Sequence, residues 1–232
     1  MYNNFSIVIP IYNEEKSISD LIIEIYNCLS NINYKFEIIL INDCSNDETI
    51  LVLKKLKKKY NIKYFNNEKN MGQSFSILNG VRESKFSTIV TLDGDGQNNP
   101  KDIIKLVKIY FDQDKIKLVG GIRKKRKDNF IKIFSSRIAN NIRKIILKDN
   151  CSDTGCGLKV FDKKIFLSFP FFTGLHRFLP ALFKAYGYTT IYEEVDHRER
   201  KAGYSKYGTI DRLIKGIIDI IRVLIIIKRN NN

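Results

Sequence analysis

The segment Asp93-Gly94-Asp95-Gly96-Gln97 holds the residues of this chain that are best suited to chemistry. Its two carboxylates stand two residues apart, and in an extended segment such side chains point to the same side. Paired hard oxygen ligands suit Mg²⁺ or Mn²⁺, and a diphosphate can share such an ion. The two glycines would let phosphate oxygens approach the backbone closely. Because Asp-Gly pairs are also common in turns, spacing alone leaves a simple polar turn as the alternative.

The position of this segment in the chain favours the metal site. The first half alternates β-rich runs, at 5–10, 36–41, 62–65 and 87–92, with helical patterns at 14–29, 48–60 and 72–83. This order predicts an α/β domain with a largely parallel sheet, in which the Asp93 segment follows the fourth strand. Ligands of such sheets bind beyond the carboxyl ends of the strands, so the loops at those ends are expected to form one site.

Two further polar loops follow predicted strands. Pro10, Tyr12 and Glu14 lie after the first strand, and Asn42-Asp43 begin the loop after the second. Together with the Asp93 segment, these loops resemble the nucleotide-binding half of the family 2 glycosyltransferases, which have the GT-A fold, a Rossmann-like arrangement of helices around a central sheet. The likeness spans nearly the whole chain. It is greatest to the branch that contains dolichol-phosphate mannosyltransferases and undecaprenyl-phosphate sugar transferases.

The resemblance implies an inverting, metal-dependent hexosyltransferase with Mg²⁺ or Mn²⁺ as cofactor and a UDP- or GDP-sugar as donor. It assigns donor-binding roles to Pro10, Tyr12, Glu14, Asp43, Gly72 and Asp93. Within that set, Asp43 would read the nucleobase, and Asp93 with Asp95 would hold the metal. The family often has two adjacent aspartates in the second loop, whereas Asn42 precedes Asp43 here, which leaves the nucleobase open.

The resemblance extends into the second half of the chain. It assigns acceptor-side roles to Asp153, Thr154, Gly155, His176 and Arg177, and catalytic roles to Asp95, Arg123, Arg200 and Lys206. Arg123 follows a strand predicted at 118–122, while Arg200 and Lys206 belong to a basic loop at 198–208. Cations on such a glycine-containing loop can fold onto a diphosphate once the donor is bound.

The acceptor is expected to be a polyprenyl phosphate. A phosphate monoester, with a second pKa of about 6, is already largely deprotonated at neutral pH. It needs cations more than a base, and the chain offers five consecutive basic residues at 123–127 beside an amphipathic helix predicted at 130–147. The alternative is a sugar hydroxyl on a glycan or a lipid-linked sugar. That acceptor needs a general base, for which Asp153 is the best candidate.

Composition bears on the partner and on the location. With 40 Lys and Arg against 25 Asp and Glu, the chain carries a net charge of +15 and attracts phosphates. Nucleic acid is disfavoured as the partner, because no helix-turn-helix spacing, aromatic RNA-binding motif or zinc module accompanies this charge. No secretion signal or disulfide framework is evident, so a cytoplasmic location is expected.

The C-terminal apolar run at 217–227 is interrupted by Asp219 and Arg222 and is too short to span a bilayer. It predicts an interfacial helix and a division of the chain into a catalytic domain at 1–210 and a surface element at 211–232. The enzyme is thus expected to lie peripherally on the inner face of the membrane. Whether a separate membrane-spanning partner is needed is left open.

Overall fold

A seven-stranded sheet forms the centre of the computed structural model, which describes residues 3–124, 143–199 and 209–231. Its strands are β1 (Asn4–Ile11), β2 (Lys35–Asn42), β3 (Ile62–Asn66), β4 (Thr88–Thr91), β5 (Ile116–Arg123), β6 (Lys159–Asp162) and β7 (Thr189–Val195). Their order across the sheet is β3-β2-β1-β4-β6-β5-β7. Strand β6 is antiparallel to both of its neighbours, and the remaining pairings are parallel.

Helices cover both faces of the sheet. They are α1 (Ile18–Leu29), α2 (Thr49–Lys59), α3 (Gln73–Glu83), α4 (Lys101–Asp112), α5 (Lys163–Ser168), α6 (Leu175–Ala185) and α7 (Thr209–Asn231). Helices α1, α2 and α4 share one buried apolar cluster, and α3, α5, α6 and α7 share the other. Strand β1 supplies both, with Phe5, Ile7 and Ile9 in the first cluster and Val8 in the second. Alternation along a strand sends successive side chains to opposite faces, so each face of the sheet has its own core.

The predicted α/β class and the β-α-β-α-β-α-β order of the first half are confirmed, with most bounds shifted by one or two residues. Helix α1 begins four residues later than predicted, because Asn13 has a positive φ of 57° and residues 14–17 form a turn. Sequence patterns missed helix α4 and strand β6. The strand has four residues and begins with a lysine, so its identity as a strand depends on its long-range pairing with β4 and β5.

Several predicted features fall partly or wholly outside the described residues. Of the amphipathic helix predicted at 130–147, the structure describes a helical turn at 143–147. Arg200, Lys206 and most of the basic loop at 198–208 also lie outside. The C-terminal helix is confirmed and runs from Thr209 to Asn231. Among the helices that the structure describes, none has the length and hydropathy required to cross a membrane.

Helix α3 packs closely on β1 and β2 at Gly80. A Cβ atom at this position would overlap Cγ1 of Val8 and would lie 3.2 Å from Cγ1 of Ile41. The absence of a side chain at Gly80 therefore sets how near α3 lies to the sheet, and α3 begins at the edge where the polar loops follow their strands.

We expect Gly80→Val to lower the free energy of unfolding by about 1–3 kcal/mol, because it overpacks a filled core. Urea unfolding followed by circular dichroism measures this change. Gly216→Ala in α7 is the control, since a Cβ there meets no atom within 4 Å. Equal stability of Gly80→Val and the wild type would show that the helix can move away from the sheet without cost.

Candidate active site

A cleft lies at the carboxyl ends of β1, β2 and β4, where the three predicted loops meet. It is a cavity of about 470 Å³. Its walls include all the predicted donor-side and metal-binding residues: Pro10, Tyr12, Glu14, Asp43, Gly72, Asp93 and Asp95. They also include Asn70, Gln73 and Ser76, which sequence reasoning did not single out. The parallel strands thus bring together residues that lie more than 80 positions apart in the chain.

Asp43 organises the side of the cleft next to helix α3. Its Oδ1 accepts hydrogen bonds from the backbone N–H of Met71 at 2.8 Å and from Asn67 Nδ2 at 2.7 Å. Its Oδ2 accepts one from the backbone N–H of Gly72 at 2.8 Å. Gly72 has a φ of +84°, which favours glycine, and directly precedes α3. Asp43 therefore shapes the loop before α3, and the remaining lone pairs of its carboxylate leave capacity for a ligand donor.

Asn42 stands where the family often has an aspartate, and it serves a structural purpose here. It is buried, and its Nδ2 donates to Asn66 Oδ1 at 3.0 Å, which links the ends of β2 and β3. Its Oδ1 accepts from the backbone N–H of Ser45 at 3.2 Å. Both ends of this side chain thus hold the second loop in shape, and Asn42 does not line the cleft.

Asp93 and Asp95 follow β4, and their two carboxylate charges lie close enough to affect each other. Burial raises the pKa of Asp93 to about 6, and the charge of Asp95 adds to this effect. Lys159, Arg123 and a 2.8 Å hydrogen bond from Gln73 Nε2 to Asp93 Oδ1 act in the opposite direction. A cation between the two carboxylates would relieve their repulsion.

This carboxylate pair suits a divalent metal ion such as Mg²⁺ or Mn²⁺. Both ligands are hard oxygens, which such ions prefer. Within the described ranges, no group of three or more His, Cys, Asp or Glu residues is close enough to hold a metal. With Asp93 and Asp95 as its protein ligands, the ion would complete its coordination with ligand phosphates and water, as is common for Mg²⁺.

The segment 153–157 lies against the metal motif. A Cβ atom at Gly157 would overlap the carboxylate of Asp93, so the backbone and this side chain are in direct contact. The hydroxyl of Thr91 donates to the carbonyl oxygen of Gly157 at 2.7 Å and ties the segment to β4. Only glycine at position 157 leaves room for Asp93 in its present place.

Two predicted site residues, Arg123 and Asp153, form a buried ion pair. Nε of Arg123 donates to Oδ2 of Asp153 at 2.6 Å, and Nη2 donates to Oδ1 at 2.7 Å. The side chains are 13% and 8% exposed. Burial disfavours the charged guanidinium, but the hydrogen bonds and charge of Asp153 outweigh it and raise the pKa of Arg123. The bidentate geometry fixes the guanidinium beside Gly155, where an added Cβ would lie 3.0 Å from Nη2.

His176 is tied to the first turn of α3. Its Nδ1 lies 2.7 Å from Oγ of Ser74, and the same Oγ accepts the backbone N–H of Gly174 at 2.8 Å. The Ser74 hydroxyl thus joins α3 both to the His176 ring and to the backbone at the start of α6. Burial lowers the pKa of His176 to about 3, with help from Lys159 and Arg177, so the ring is neutral.

The other predicted acceptor-side residues have different surroundings. Arg177 pairs with Asp219 of α7 at 2.7 Å, which joins α6 to the C-terminal helix and does not bring the guanidinium into the cleft. Thr154 is buried, and its carbonyl oxygen accepts a hydrogen bond from Lys159.

Three contacts at the site had no clear signal in the sequence. Gln73 reaches Asp93 from α3. The segment after β7 meets the metal motif, because the backbone N–H of Arg198 donates to Gln97 O at 2.8 Å and His197 pairs with Asn98 in an isolated bridge. The guanidinium of Arg198, in the predicted basic loop, binds Glu24 at 2.6 Å. Each contact joins residues far apart in the chain, so only the folded structure reveals it.

A central α/β sheet with an acidic motif at its carboxyl edge is the arrangement of the GT-A glycosyltransferases. Residues 6–169 match the model of the family "Glycosyl transferase family 2", and the chain belongs to this family. The predicted family and fold are thereby confirmed.

Curated relatives lie in the branch expected from the sequence. The chain is 31% identical over 224 residues to the dodecaprenyl-phosphate galacturonate synthase of Rhizobium johnstonii, covering 94% of this chain and 66% of the relative. It is 30% identical to the undecaprenyl-phosphate 4-deoxy-4-formamido-L-arabinose transferase of Edwardsiella ictaluri, covering 94% and 67%. The chain thus spans about two thirds of the length of these relatives.

Solved structures share the fold at low sequence identity. Glucosyl-3-phosphoglycerate synthase of Mycobacterium tuberculosis, in complex with Mn²⁺, UDP and phosphoglyceric acid, superposes with a TM-score of 0.72 at 16% identity, covering 95% of this chain and 77% of that one. Mannosyl-3-phosphoglycerate synthase of Rubrobacter xylanophilus gives a TM-score of 0.71 at 13% identity, with 94% and 72% covered.

We expect Gly157→Ala to reduce glycosyl transfer about 100-fold, because the new methyl group displaces the Asp93 carboxylate from its place. Release of nucleoside diphosphate from the nucleotide-sugar measures the rate. Gly216→Ala again serves as the control and should keep wild-type turnover. Full activity of a folded Gly157→Ala protein would mean that the position of Asp93 is not critical.

Proposed function

We propose that this chain transfers a sugar from a nucleotide-sugar to a polyprenyl phosphate at the inner face of a membrane. The observation that carries the proposal is the Asp93 and Asp95 pair, set in a nucleotide-sized cleft and in direct contact with the segment that orients Arg123. The relatives described above, a dodecaprenyl-phosphate galacturonate synthase and an undecaprenyl-phosphate 4-deoxy-4-formamido-L-arabinose transferase, support this class of acceptor.

The donor occupies the cleft in this proposal. Pro10, Tyr12 and Glu14 form the wall toward base and ribose, and Asp43 faces the nucleobase from the second loop. Asp93 and Asp95 would hold a Mg²⁺ or Mn²⁺ ion, whose charge would offset that of the leaving diphosphate. Arg200 and Lys206 keep their predicted role of closing over the diphosphate.

Arg123 and its partner favour phosphate over a hydroxyl as the acceptor. Both oxygens of Asp153 accept hydrogen bonds from Arg123, so the carboxylate is already engaged and is poorly placed to take a proton from a substrate hydroxyl. Asp153 was the best candidate in the sequence for the general base that a hydroxyl acceptor requires. Its pairing with Arg123 therefore argues against a hydroxyl acceptor. Arg123 has further donors on Nη1, which can attract an anionic acceptor.

The proposed reaction needs no protein base. An oxygen of the acceptor phosphate forms the bond to the anomeric carbon as the bond from that carbon to the donor diphosphate breaks. The nucleoside diphosphate leaves with the bonding electron pair, and attack from the opposite face inverts the configuration. Since the acceptor phosphate has a second pKa of about 6, it is already ionised at neutral pH. The chain's task is to align the two substrates and to stabilise their charges.

Helix α7 supports a peripheral location on an anionic membrane surface. Val223 and Asp219 on one face are buried against the domain. The opposite face exposes a stripe of large apolar residues: Ile217, Ile218, Ile221, Leu224 and Ile225. Arg222, Lys228 and Arg229 supply cations along the same helix, a pattern typical of an interfacial helix on anionic lipid. We accordingly propose 1–210 as the catalytic domain and 211–232 as its membrane-surface element.

The proposed reaction predicts that Asp95→Asn abolishes transfer to a short polyprenyl phosphate, with a loss of at least about 1000-fold, because half of the carboxylate pair is neutralised. A panel of UDP- and GDP-sugars with Mg²⁺ or Mn²⁺, followed by release of nucleoside diphosphate, measures it. A chelator should reproduce the loss in the wild type.

Asp114→Asn, outside the cleft, is the control and should keep full activity. Transfer to a glycan hydroxyl but not to the lipid phosphate would contradict the proposed acceptor. Undiminished turnover of folded Asp95→Asn would contradict the proposed metal site.

The proposed location predicts that the protein floats with vesicles of phosphatidylcholine and phosphatidylglycerol, and that high salt releases it in part. Salt weakens the attraction of Lys and Arg to anionic lipid but leaves apolar insertion intact. The double substitution Ile221→Ser with Ile225→Ser should abolish flotation at high salt. Its control is Ile23→Ser with Leu51→Ser, which removes two exposed apolar side chains from helices on the other face of the sheet. Failure of the folded wild type to float at low salt would overturn this location.

A further inference from the structure

Lys159 is a buried cation next to the site that the proposed reaction has not used. It is the first residue of β6 and is 3% exposed. Its Nζ donates to the carbonyl oxygens of Cys156 and, at 3.4 Å, of Thr154. Among the described residues, no carboxylate forms a salt bridge with this ammonium; its hydrogen-bond partners are these two carbonyls.

A buried ammonium without a carboxylate partner is costly. Removing such an ion from water costs several kcal/mol, of which hydrogen bonds to carbonyl oxygens recover a part. An unbranched apolar residue such as methionine could fill the same space on β6 without that cost. Packing of the core alone therefore does not explain why a charged side chain occupies position 159.

The two carbonyls belong to the segment that serves both halves of the site. At one end of this segment, Asp153 holds the guanidinium of Arg123. At the other end, Gly157 touches the carboxylate of Asp93. Lys159 binds the backbone between these two points, at the carbonyl oxygens of Thr154 and Cys156.

Strand register explains why a lysine at this position reaches the segment. Lys159 is paired with Thr91 of β4 on one side and with Gly120 of β5 on the other. Asp93 and Arg123 lie two and three residues beyond these partners. The ammonium of Lys159 binds the carbonyl oxygen of Cys156, which directly precedes Gly157, the residue in contact with the Asp93 carboxylate.

We infer that Lys159 is a positioning residue, whose buried ammonium holds the segment 153–157 in shape and so sets Arg123 at the right distance from Asp93. The inference rests on the proposed function, because Arg123 is the cation that would meet the acceptor phosphate. The hydroxyl of Thr91 holds Gly157 next to Asp93 without the help of Lys159, so donor binding is expected to be unaffected. Transfer to the acceptor, which depends on Arg123, is expected to depend on Lys159.

The test compares Lys159→Met with Lys163→Met. Lys163 is a matched control, since its Nζ also donates to two backbone carbonyls, of Arg82 at 3.2 Å and of Ser84 at 2.6 Å, outside the cleft. Three quantities are measured for each protein: the affinity for UDP-sugar with Mn²⁺ by calorimetry, the slow hydrolysis of donor by water, and the rate of transfer to a short polyprenyl phosphate.

We expect Lys159→Met to lower kcat for transfer about 100-fold, because a shift of about 1 Å in a positioning group has effects of this size. Donor affinity and donor hydrolysis should stay within about threefold of the wild type. Lys163→Met should keep all three values, whatever its thermal stability. Lys159→Arg, which retains the charge, should keep at least about a tenth of the transfer rate.

Other outcomes overturn the inference. Wild-type transfer by Lys159→Met would show that the ammonium does not position the site. A parallel fall of donor affinity, hydrolysis and transfer would show a general structural role. If Lys159→Met does not fold, Lys159→Arg takes its place in the test. Weakened donor binding by a folded Lys159→Arg protein would likewise show a general structural role. Absence of transfer by a wild type that still hydrolyses donor would refute the proposed acceptor, and the inference with it.

Discussion

Strand β6 runs against the direction of its neighbours, and the shape of the site depends on this reversal. In a parallel sheet, the loops that follow the strands share one edge, whereas the chain before each strand approaches from the other edge. In an antiparallel strand, the chain enters at the edge where the parallel strands end. The residues before β6 therefore reach the edge where Asp93 follows β4 and where Arg123 ends β5. The segment 153–157 therefore contacts both Asp93 and Arg123, because its strand runs antiparallel to β4 and β5.

Acidic and basic side chains lie next to one another at this edge of the sheet. Burial and the charge of Asp95 raise the pKa of Asp93, whereas the charges of Lys159 and Arg123, from the side of β5 and β6, lower it. Asp153 in turn binds Arg123 and gives the guanidinium one orientation. Buried ion pairs contribute little net stability, because desolvation offsets their attraction. We therefore regard this network as a means of placing groups for phosphate chemistry.

Helix α7 contains a charged residue, Asp219, whose structural role is apparent only from its tertiary contacts. In the sequence, Asp219 and Arg222 are interruptions of an apolar run. In the structure, Asp219 is buried and accepts hydrogen bonds from Arg177 at 2.7 Å and from Arg222 at 3.4 Å. The carboxylate is thus the point at which α7 attaches to α6. One apolar face is left for a surface outside the domain.

Sequence alone predicted the α/β class, the order of the first seven elements and residues that the structure gathers around one cleft. It could do so because these features are local: hydrophobic periods define the elements, and polar residues follow each strand directly. The tertiary structure decided the features that depend on long-range pairing. Strand β6 is too short to be recognised without β4 and β5, and Lys159 looks like any other lysine until its burial is known. The pairing of Asp153 with Arg123 across 30 residues, which disfavours Asp153 as a base, likewise exists only once β5 and β6 lie side by side.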